Sequence, residues 1–188
     1  MSIPQTPKPA KLVVGFFLRD KALAAEVARR LEPGFGPVEV VSPWMSFDYT
    51  AYYVRETGEP LFRRLLVFKT LVAQDALPGI KAATNALEQE FGADGRRRVN
   101  IDPGYLTLER FVLASGKNFS HRVYLGRGIY ADLTLIYRGG RFHTLPWTYP
   151  DYGAVPLRRF LTKVRARYAM ELNARPPAAP GAKEPYPQ

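Results

Sequence analysis

The apolar positions of the chain change their spacing several times, and each spacing predicts a different element. Residues 11–18 form a continuous apolar run, which is typical of a buried strand. In the next stretch apolar residues recur about every four positions, which predicts a helix over 21–31. Asp20 precedes this helix as a candidate cap, and Glu-Pro-Gly at 32–34 is expected to end it. Val38–Val41 then predicts a second strand, so the chain opens as β-α-β.

The middle of the chain combines further strand patterns with a second helix. Residues 47–54 are rich in β-forming side chains and predict a strand. Alternation within 61–71 favours a strand over a helix. Residues 80–91 place their apolar side chains on one stripe, which predicts a helix that Gly-Ala-Asp-Gly at 92–95 ends. Residues 106–115 fit a helix or a strand equally well.

A strand predicted over 97–102 carries a polar face, because alternate side chains of a strand point the same way. The residues on that face are Arg98, Asn100 and Asp102. The pair Pro103-Gly104 that follows predicts a turn after the strand.

Residues 129–137 alternate regularly and precede a Gly-Gly pair that favours the positive φ angles of a two-residue hairpin turn. The hairpin register places Ile136 opposite His143. The same register places Thr134 opposite Leu145, and one more step away from the turn brings Asp132 near Trp147.

The two ends of the chain are rich in proline. We expect residues 1–10 to be a flexible arm and residues 173–188 to be disordered. A last helix is predicted over 156–172, with Pro156 as its first residue. Residues 11–172 are therefore expected to form a single α+β domain with a mixed, largely antiparallel sheet and two or three packed helices.

Length and charge narrow the class of protein. A chain of 188 residues fits one domain with its own core. The net charge of +10 favours anionic partners such as phosphorylated small molecules, nucleotides or RNA. The absence of cysteine excludes disulfides, iron–sulfur clusters and a thiol nucleophile. No stretch approaches the roughly 20 apolar residues of a membrane span, and the first residues lack the apolar region of a signal peptide. We therefore expect a cytoplasmic protein without a membrane partner.

Familiar catalytic signatures are missing from the chain. Gly116-Lys117 lacks the upstream glycine and the following Ser or Thr of a phosphate-binding loop. The glycines around Arg127 precede a strand, unlike those of a dinucleotide fingerprint. With two histidines and no cysteine, a zinc site is not expected.

The candidate site is a concentration of charged, polar and aromatic residues in 96–152. Cationic side chains there suit a phosphate, a histidine suits proton transfer, and Asp102, Asp132 and Asp151 together suit Mg²⁺. The candidate catalytic residues are His121, Asp102 and Asp132. The candidate ligand-binding residues are Arg98, Asn100, Lys117, Arg122, Tyr130, Trp147, Thr148 and Asp151. The sequence thus favours a pocket for a nucleotide or another phosphorylated small molecule, and leaves open whether the protein is an enzyme.

Other functions fit the same residues. The basic face of the last helix, with Arg158, Arg159 and Lys163, fits an RNA-binding or ribonucleoprotein accessory module. Exposed aromatics fit a protein-interaction domain. Each candidate taken alone also has a structural interpretation: Asp102 as a turn residue, Asp132 as a solvated strand position and Trp147 as a core residue.

Three segments carry a resemblance to a known family. They are Arg-Arg-Val-Asn-Ile-Asp-Pro-Gly-Tyr-Leu at 97–106, Ser-His-Arg-Val-Tyr-Leu at 120–125 with Gly-Ile-Tyr-Ala at 128–131, and Pro-Trp-Thr-Tyr-Pro-Asp-Tyr at 146–152. Over residues 10–170 the chain resembles a bacterial family catalogued as domain of unknown function 4416. The resemblance implies a small cytoplasmic bacterial domain and no established reaction.

Overall fold

A computed structural model describes residues 3–47, 59–92 and 97–174 of the chain. Its strands are β1 (Ala10–Leu18), β2 (Val38–Val41), β3 (Met45–Ser46), β4 (Phe62–Val72), β5 (Val99–Leu106), β6 (Arg110–Ser115), β7 (Arg122–Gly126), β8 (Ile129–Arg138) and β9 (Arg141–Thr144). Its helices are α1 (Leu23–Phe35), α2 (Leu77–Glu90), the short α3 (Pro150–Gly153) and α4 (Val155–Ala174). The fold is a single α+β domain, as the sequence predicts.

The strands of the described ranges form one sheet in the order β2-β4-β1-β5-β6-β8-β7, and all their pairings are antiparallel. Two short strands lie off this path, with β3 on β4 and β9 on β8. The strands β1 and β2 are not neighbours, because β4 lies between them. The opening β-α-β unit is therefore split by a strand from later in the chain.

The sheet is covered on both faces, which explains the continuous apolar run of β1. Leu12, Val14 and Phe16 point to the face that α1 and α2 cover. Val13 on the opposite face packs in a core with α4 and with Tyr152 of α3. Since β1 lies in the middle of the sheet, both sets of alternating side chains are buried.

Most of the predicted elements are confirmed. From 61–71, residues 62–71 lie in β4; from 80–91, residues 80–90 lie in α2; the last helix begins at Val155. The hairpin has the predicted register, with Ile136 opposite His143. The undecided range 106–115 contains β6.

Parts of the other predictions lie outside the described residues. Of 47–54, only Phe47 is described, and it follows β3. Of the tail predicted over 173–188, residues 173 and 174 lie in α4, and residues 175–188 lie outside the described residues. In the predicted arm, the carbonyl oxygens of Lys8 and Pro9 accept hydrogen bonds from Gln74 and Tyr168.

The predicted end of α1 is wrong, since the helix continues through Pro33 to Phe35. The ring of Phe35 packs edge-on against Phe68 of β4 at 5.9 Å, which holds the last turn on the sheet. Gly36, with φ 85°, then ends the helix and donates its N–H to Glu32.

The turn predicted at Pro103-Gly104 is also wrong, because β5 runs straight through both residues. Pro103 lies opposite Val14 of β1, and Gly104 pairs with both β1 and Leu113 of β6. A Cβ on Gly104 would lie 2.5 Å from the carbonyl oxygen of Val112. The glycine thus permits a close approach of two strands instead of a reversal of the chain.

The helix α4 packs on the sheet through an apolar stripe, and its remaining surface is strongly basic. Leu157, Leu161, Val164 and Tyr168 are its buried residues. None of the helices in the described ranges has the length and apolar character needed to cross a membrane.

Close packing between β1 and α3 requires a glycine at position 15. The side chain of Tyr152 is fully buried and stacks on Phe111 with ring centroids 5.6 Å apart. A Cβ on Gly15 would lie 2.7 Å from the Tyr152 hydroxyl oxygen. This is shorter than van der Waals contact, so any larger side chain at position 15 displaces the tyrosine.

We expect Gly15→Ala to lower the free energy of unfolding by about 1–3 kcal/mol, the usual cost of overpacking a core. Urea denaturation measures this change. Gly34→Ala in α1 is the matched control, because a Cβ there meets nothing within 4 Å. It is expected to raise stability by about 0.5–1 kcal/mol. Equal stability of Gly15→Ala and the original chain would contradict the close contact.

Candidate functional site

A polar site lies where β5 and β6 separate. These strands pair only from Gly104 and Leu113 onwards, so the register does not continue to Asp102 and Ser115. Side chains from β4, β5, β7, β8 and the segment 145–153 meet at this end of the sheet. We call their assembly the polar site; it consists of Arg63, Asn100, Asp102, His121, Arg122, Asp132, Tyr149 and Asp151.

Arg63 of β4 is the centre of the first half of this site. Its Nη1 lies 2.6 Å from Oδ2 of Asp151, and its Nη2 lies 3.5 Å from Oδ2 of Asp102. The guanidinium also lies against three aromatic rings, those of Phe17, Phe47 and Tyr152, at 4.7–5.5 Å from their centroids. Because Arg63 is only 4% exposed, its pair with Asp151 lies away from solvent, whereas its second partner Asp102 is more exposed.

Asp102 has further partners beside Arg63. Asn100 donates a hydrogen bond of 2.8 Å to Asp102 Oδ2, and Lys81 Nζ of α2 lies 3.7 Å from Oδ1. The Asp102 side chain is nevertheless 27% exposed. It is therefore a carboxylate that two cations neutralise and that solvent still reaches.

Where β6 no longer pairs with β5, two side chains of α2 form hydrogen bonds with the backbone of β5. Lys81 donates to the carbonyl oxygen of Ile101 at 2.9 Å, and Glu88 accepts the N–H of Ile101 at 2.5 Å. Burial raises the pKa of the Glu88 carboxyl, although Lys81 acts in the opposite direction. Arg97 lies 3.5 Å from Glu88 and donates to Asn100 Oδ1 at 2.9 Å, so it links α2 to the polar site.

Asp132 of β8 is the centre of the second half of the site. It is 1% exposed, and its Oδ2 accepts a hydrogen bond of 2.8 Å from Arg122 Nε. His121 Nε2 lies 3.3 Å from the same oxygen, and Thr134 donates to Oδ1 at 3.1 Å. The carboxylate thus orients both His121 and Arg122.

The other nitrogens of Arg122 are also engaged within the chain. Its Nη1 donates to Ser115 Oγ at 2.9 Å and to the carbonyl oxygen of Lys117 at 2.8 Å. Its Nη2 donates to the hydroxyl of Tyr149 at 2.5 Å. The side chain is 3% exposed. These contacts fix the loop after β6 and Tyr149 around Arg122, and direct binding of a ligand by Arg122 stays a prediction.

A series of stacked rings lies over this half of the site. His121 stacks on Trp147 with centroids 5.0 Å apart and planes 12° apart, and on Phe119 at 6.0 Å and 23°. The indole N–H of Trp147 donates to the carbonyl oxygen of Leu133 at 2.8 Å. Trp147 therefore lies close to Asp132 through His121, as the extended hairpin register predicts.

The segment 145–153 joins the two halves. Tyr149 contacts Arg122, and Asp151 contacts Arg63. Partial burial raises the pKa of Tyr149; Arg122 lowers it, whereas the charges of Asp132 and Asp102 raise it further. Burial likewise raises the pKa of Asp151, although Arg63 opposes the shift. Because this one segment contacts both Arg122 and Arg63, the two halves are parts of one site.

The structure does not group Asp102, Asp132 and Asp151 as three ligands of one metal ion. Within 3–47, 59–92 and 97–174, no three His, Asp or Glu side chains are grouped closely enough to hold a metal ion. Each of the three carboxylates instead lies beside an arginine, Arg63 or Arg122.

The remaining candidates lie at the border of the site. Arg98 precedes β5 and is exposed, and Lys117 is exposed in the loop after β6. Tyr130 packs against Tyr124 with ring centroids 5.2 Å apart. Thr148 donates to the carbonyl oxygen of Thr134 at 2.6 Å, a contact that fixes the segment after β9.

The residue patterns of the sequence did not identify Arg63 and Tyr149 in the polar site, nor neighbours such as Lys81, Arg97 and Phe119. A signal existed for two of them. Arg63 alternates with Leu61 and Leu65, so a charged residue occupies a buried face. Tyr149 lies two residues after Trp147 and two before Asp151, and both of these residues were candidates for the site. Lys81 had no such signal, because its contact depends on where α2 meets β5.

The fold and the site define an α+β domain with a charged, largely buried polar site on one face of an antiparallel sheet. The chain belongs to the family described as Domain of unknown function (DUF4416), whose model matches residues 8–168. This range includes the whole polar site. Searches among curated proteins and among solved structures find no match.

The buried pair of Arg122 and Asp132 is testable by a double-mutant cycle. We expect Arg122→Met and Asp132→Leu each to cost about 3–5 kcal/mol, because each leaves the other charge buried without its partner. The double variant is expected to cost less than the sum of the two. Urea denaturation of the four proteins gives the coupling.

The control cycle uses Glu26 and Arg29, an exposed ion pair on α1. Solvent screens this pair, so no measurable coupling is expected. Strict additivity at Arg122 and Asp132 would show that the two side chains do not depend on each other for burial.

Proposed function

We propose that the chain binds a small phosphorylated molecule at the polar site. The observation that carries this proposal is the neutralisation of both halves of the site by internal cations. Asp102 lies beside Arg63 and Lys81, and Asp132 lies beside Arg122. A ligand that approaches therefore meets carboxylates whose charge is already balanced, and an anion is not repelled.

Exposed cations flank the same end of the sheet. β5 begins and β6 ends there, because the two strands are antiparallel neighbours. Arg98 precedes β5 and Lys117 follows β6, and both side chains are exposed. A phosphate bound between them gains charge-assisted hydrogen bonds. The net charge of +10 raises the local concentration of such anions around the protein.

His121 is the residue of the site that suits proton transfer to or from such a ligand. Its Nε2 lies against Asp132, so the carboxylate fixes the orientation of the ring. An imidazole held by a carboxylate is the usual arrangement of a general acid or base. In this proposal Asp102 and Asn100 orient polar groups of the ligand, since Asp102 is reached by solvent.

The RNA-binding alternative rests on the basic face of α4, and part of that face is engaged within the chain. Arg158 donates to the carbonyl oxygens of Gly153 and Phe142. Arg165 donates to Leu108 and lies 3.7 Å from the centroid of the Tyr137 ring. These contacts leave fewer cations for a phosphate backbone, and they favour the small-molecule site over an RNA surface on α4.

The test is the double variant Arg98→Gln/Lys117→Gln, titrated with ribose 5-phosphate and with inorganic phosphate by isothermal calorimetry. We expect about tenfold weaker binding of both compounds, because each substitution removes one charge-assisted contact to phosphate. Both side chains are exposed, so the fold is expected to be retained.

The matched control is Arg159→Gln/Lys163→Gln on α4, which removes the same charge from another exposed surface. Its affinity for phosphate is expected to stay within about twofold of the original, because exposed charges more than a Debye length from a ligand are screened. Equal losses in the two double variants would attribute binding to net charge and would refute a specific site.

A further inference from the structure

The three stacked rings of Phe119, His121 and Trp147 are unusual for side chains at a protein surface. Phe119 is 56% exposed and Trp147 is 37% exposed, although both are large apolar residues. Their rings are close to parallel, with His121 between them. The series therefore presents flat aromatic surface to solvent beside the polar site.

Contacts with the protein hold these rings in place. His121 is oriented by Asp132, and the indole N–H of Trp147 is bonded to the carbonyl oxygen of Leu133. The guanidinium of Arg122 lies 4.8 Å from the centroid of the Phe119 ring. Because the rings are already ordered, a ligand that stacks on them loses little additional entropy in the protein.

A flat aromatic surface selects a flat ligand. A sugar phosphate has no aromatic ring, whereas every nucleobase has a flat π-face that stacks on aromatic side chains. Lys117 lies two residues before Phe119 on the same loop, so cation and rings are adjacent along the chain. We infer that the phosphorylated ligand carries a nucleobase and that this base stacks on the exposed face of the Phe119 ring, at the end of the series nearest Lys117. This inference rests on the proposed phosphate site.

The experiment compares adenosine 5′-monophosphate, ribose 5-phosphate and adenosine by calorimetry. The nucleotide is expected to bind about tenfold more tightly than ribose 5-phosphate, the usual gain from stacking one base on aromatic side chains. Phe119→Ala is expected to abolish that gain and to leave ribose 5-phosphate binding unchanged. Phe119→Tyr keeps an aromatic ring and is expected to keep the gain.

Fluorescence provides a second measurement at the ring series itself. The chain has two tryptophans, so Trp44→Phe leaves Trp147 as the reporter. The nucleotide is expected to change the emission of Trp147, because the base extends the stack of rings that ends at Trp147, and ribose 5-phosphate is not. If Trp44→Phe does not fold, the calorimetry of Phe119→Ala decides alone, because Phe119 is exposed.

The outcomes separate the inference from the proposed function. Equal affinities for the nucleotide and ribose 5-phosphate would overturn the stacked base and leave the phosphate site in place. Binding of adenosine as tight as that of the nucleotide would overturn the phosphate site, as would no binding of any compound. A short single-stranded oligoribonucleotide that binds more tightly than the mononucleotide, with the same dependence on Phe119, would support base stacking and identify RNA as the source of the base.

Discussion

Buried arginine–carboxylate pairs on one face of the sheet are the interaction on which the rest of this structure depends. An isolated charge is costly to bury, so the carboxylates of Asp132 and Asp151 require partners inside the protein. Arg122 supplies one from the edge strand β7, and Arg63 supplies the other from β4. Each pair also joins distant segments of the chain: Arg63 connects β4 to α3, and Arg122 connects the loop after β6 to Tyr149. Removing one partner would therefore disturb packing and site together.

The same pairs determine what the site is able to bind. Arg63 and Arg122 balance the charges of these carboxylates. Among the described residues, the carboxylates are not grouped as ligands of a metal ion. They hold His121 and Asn100 in fixed orientations instead. The stacked rings of His121 and Trp147 lie beside Asp132, and the exposed cations Arg98 and Lys117 flank this end of the sheet. Preorganised rings and polar groups of this kind lower the entropy that a ligand loses on binding. In the proposed function, these ion pairs hold in place the residues that bind an anionic ligand.

Much of the fold follows from local patterns in the sequence, and the exceptions have physical causes. Alternation and the Gly-Gly turn predict the β8–β9 hairpin and its register, because both are properties of neighbouring residues. The ends predicted at Pro33 and at Pro103-Gly104 fail because contacts with β4, β1 and β6 override a local breaker. The residues around the site were found where they concentrate in the sequence, from Asn100 to Asp151. Arg63 was missed because its partners are far away in the chain, and without that cation the aspartates suggested a metal.

The measurement that tests this account most directly is an amide NMR titration of the protein with inorganic phosphate. We expect the shifted resonances to fall in 97–100, at the start of β5, and in 115–122, around the loop after β6, because exposed cations lie there beside neutralised carboxylates. Shifts concentrated in 158–165 of α4 would contradict the account and favour the basic helix as the anion-binding surface. An absence of shifts at concentrations where phosphate binds would contradict it equally.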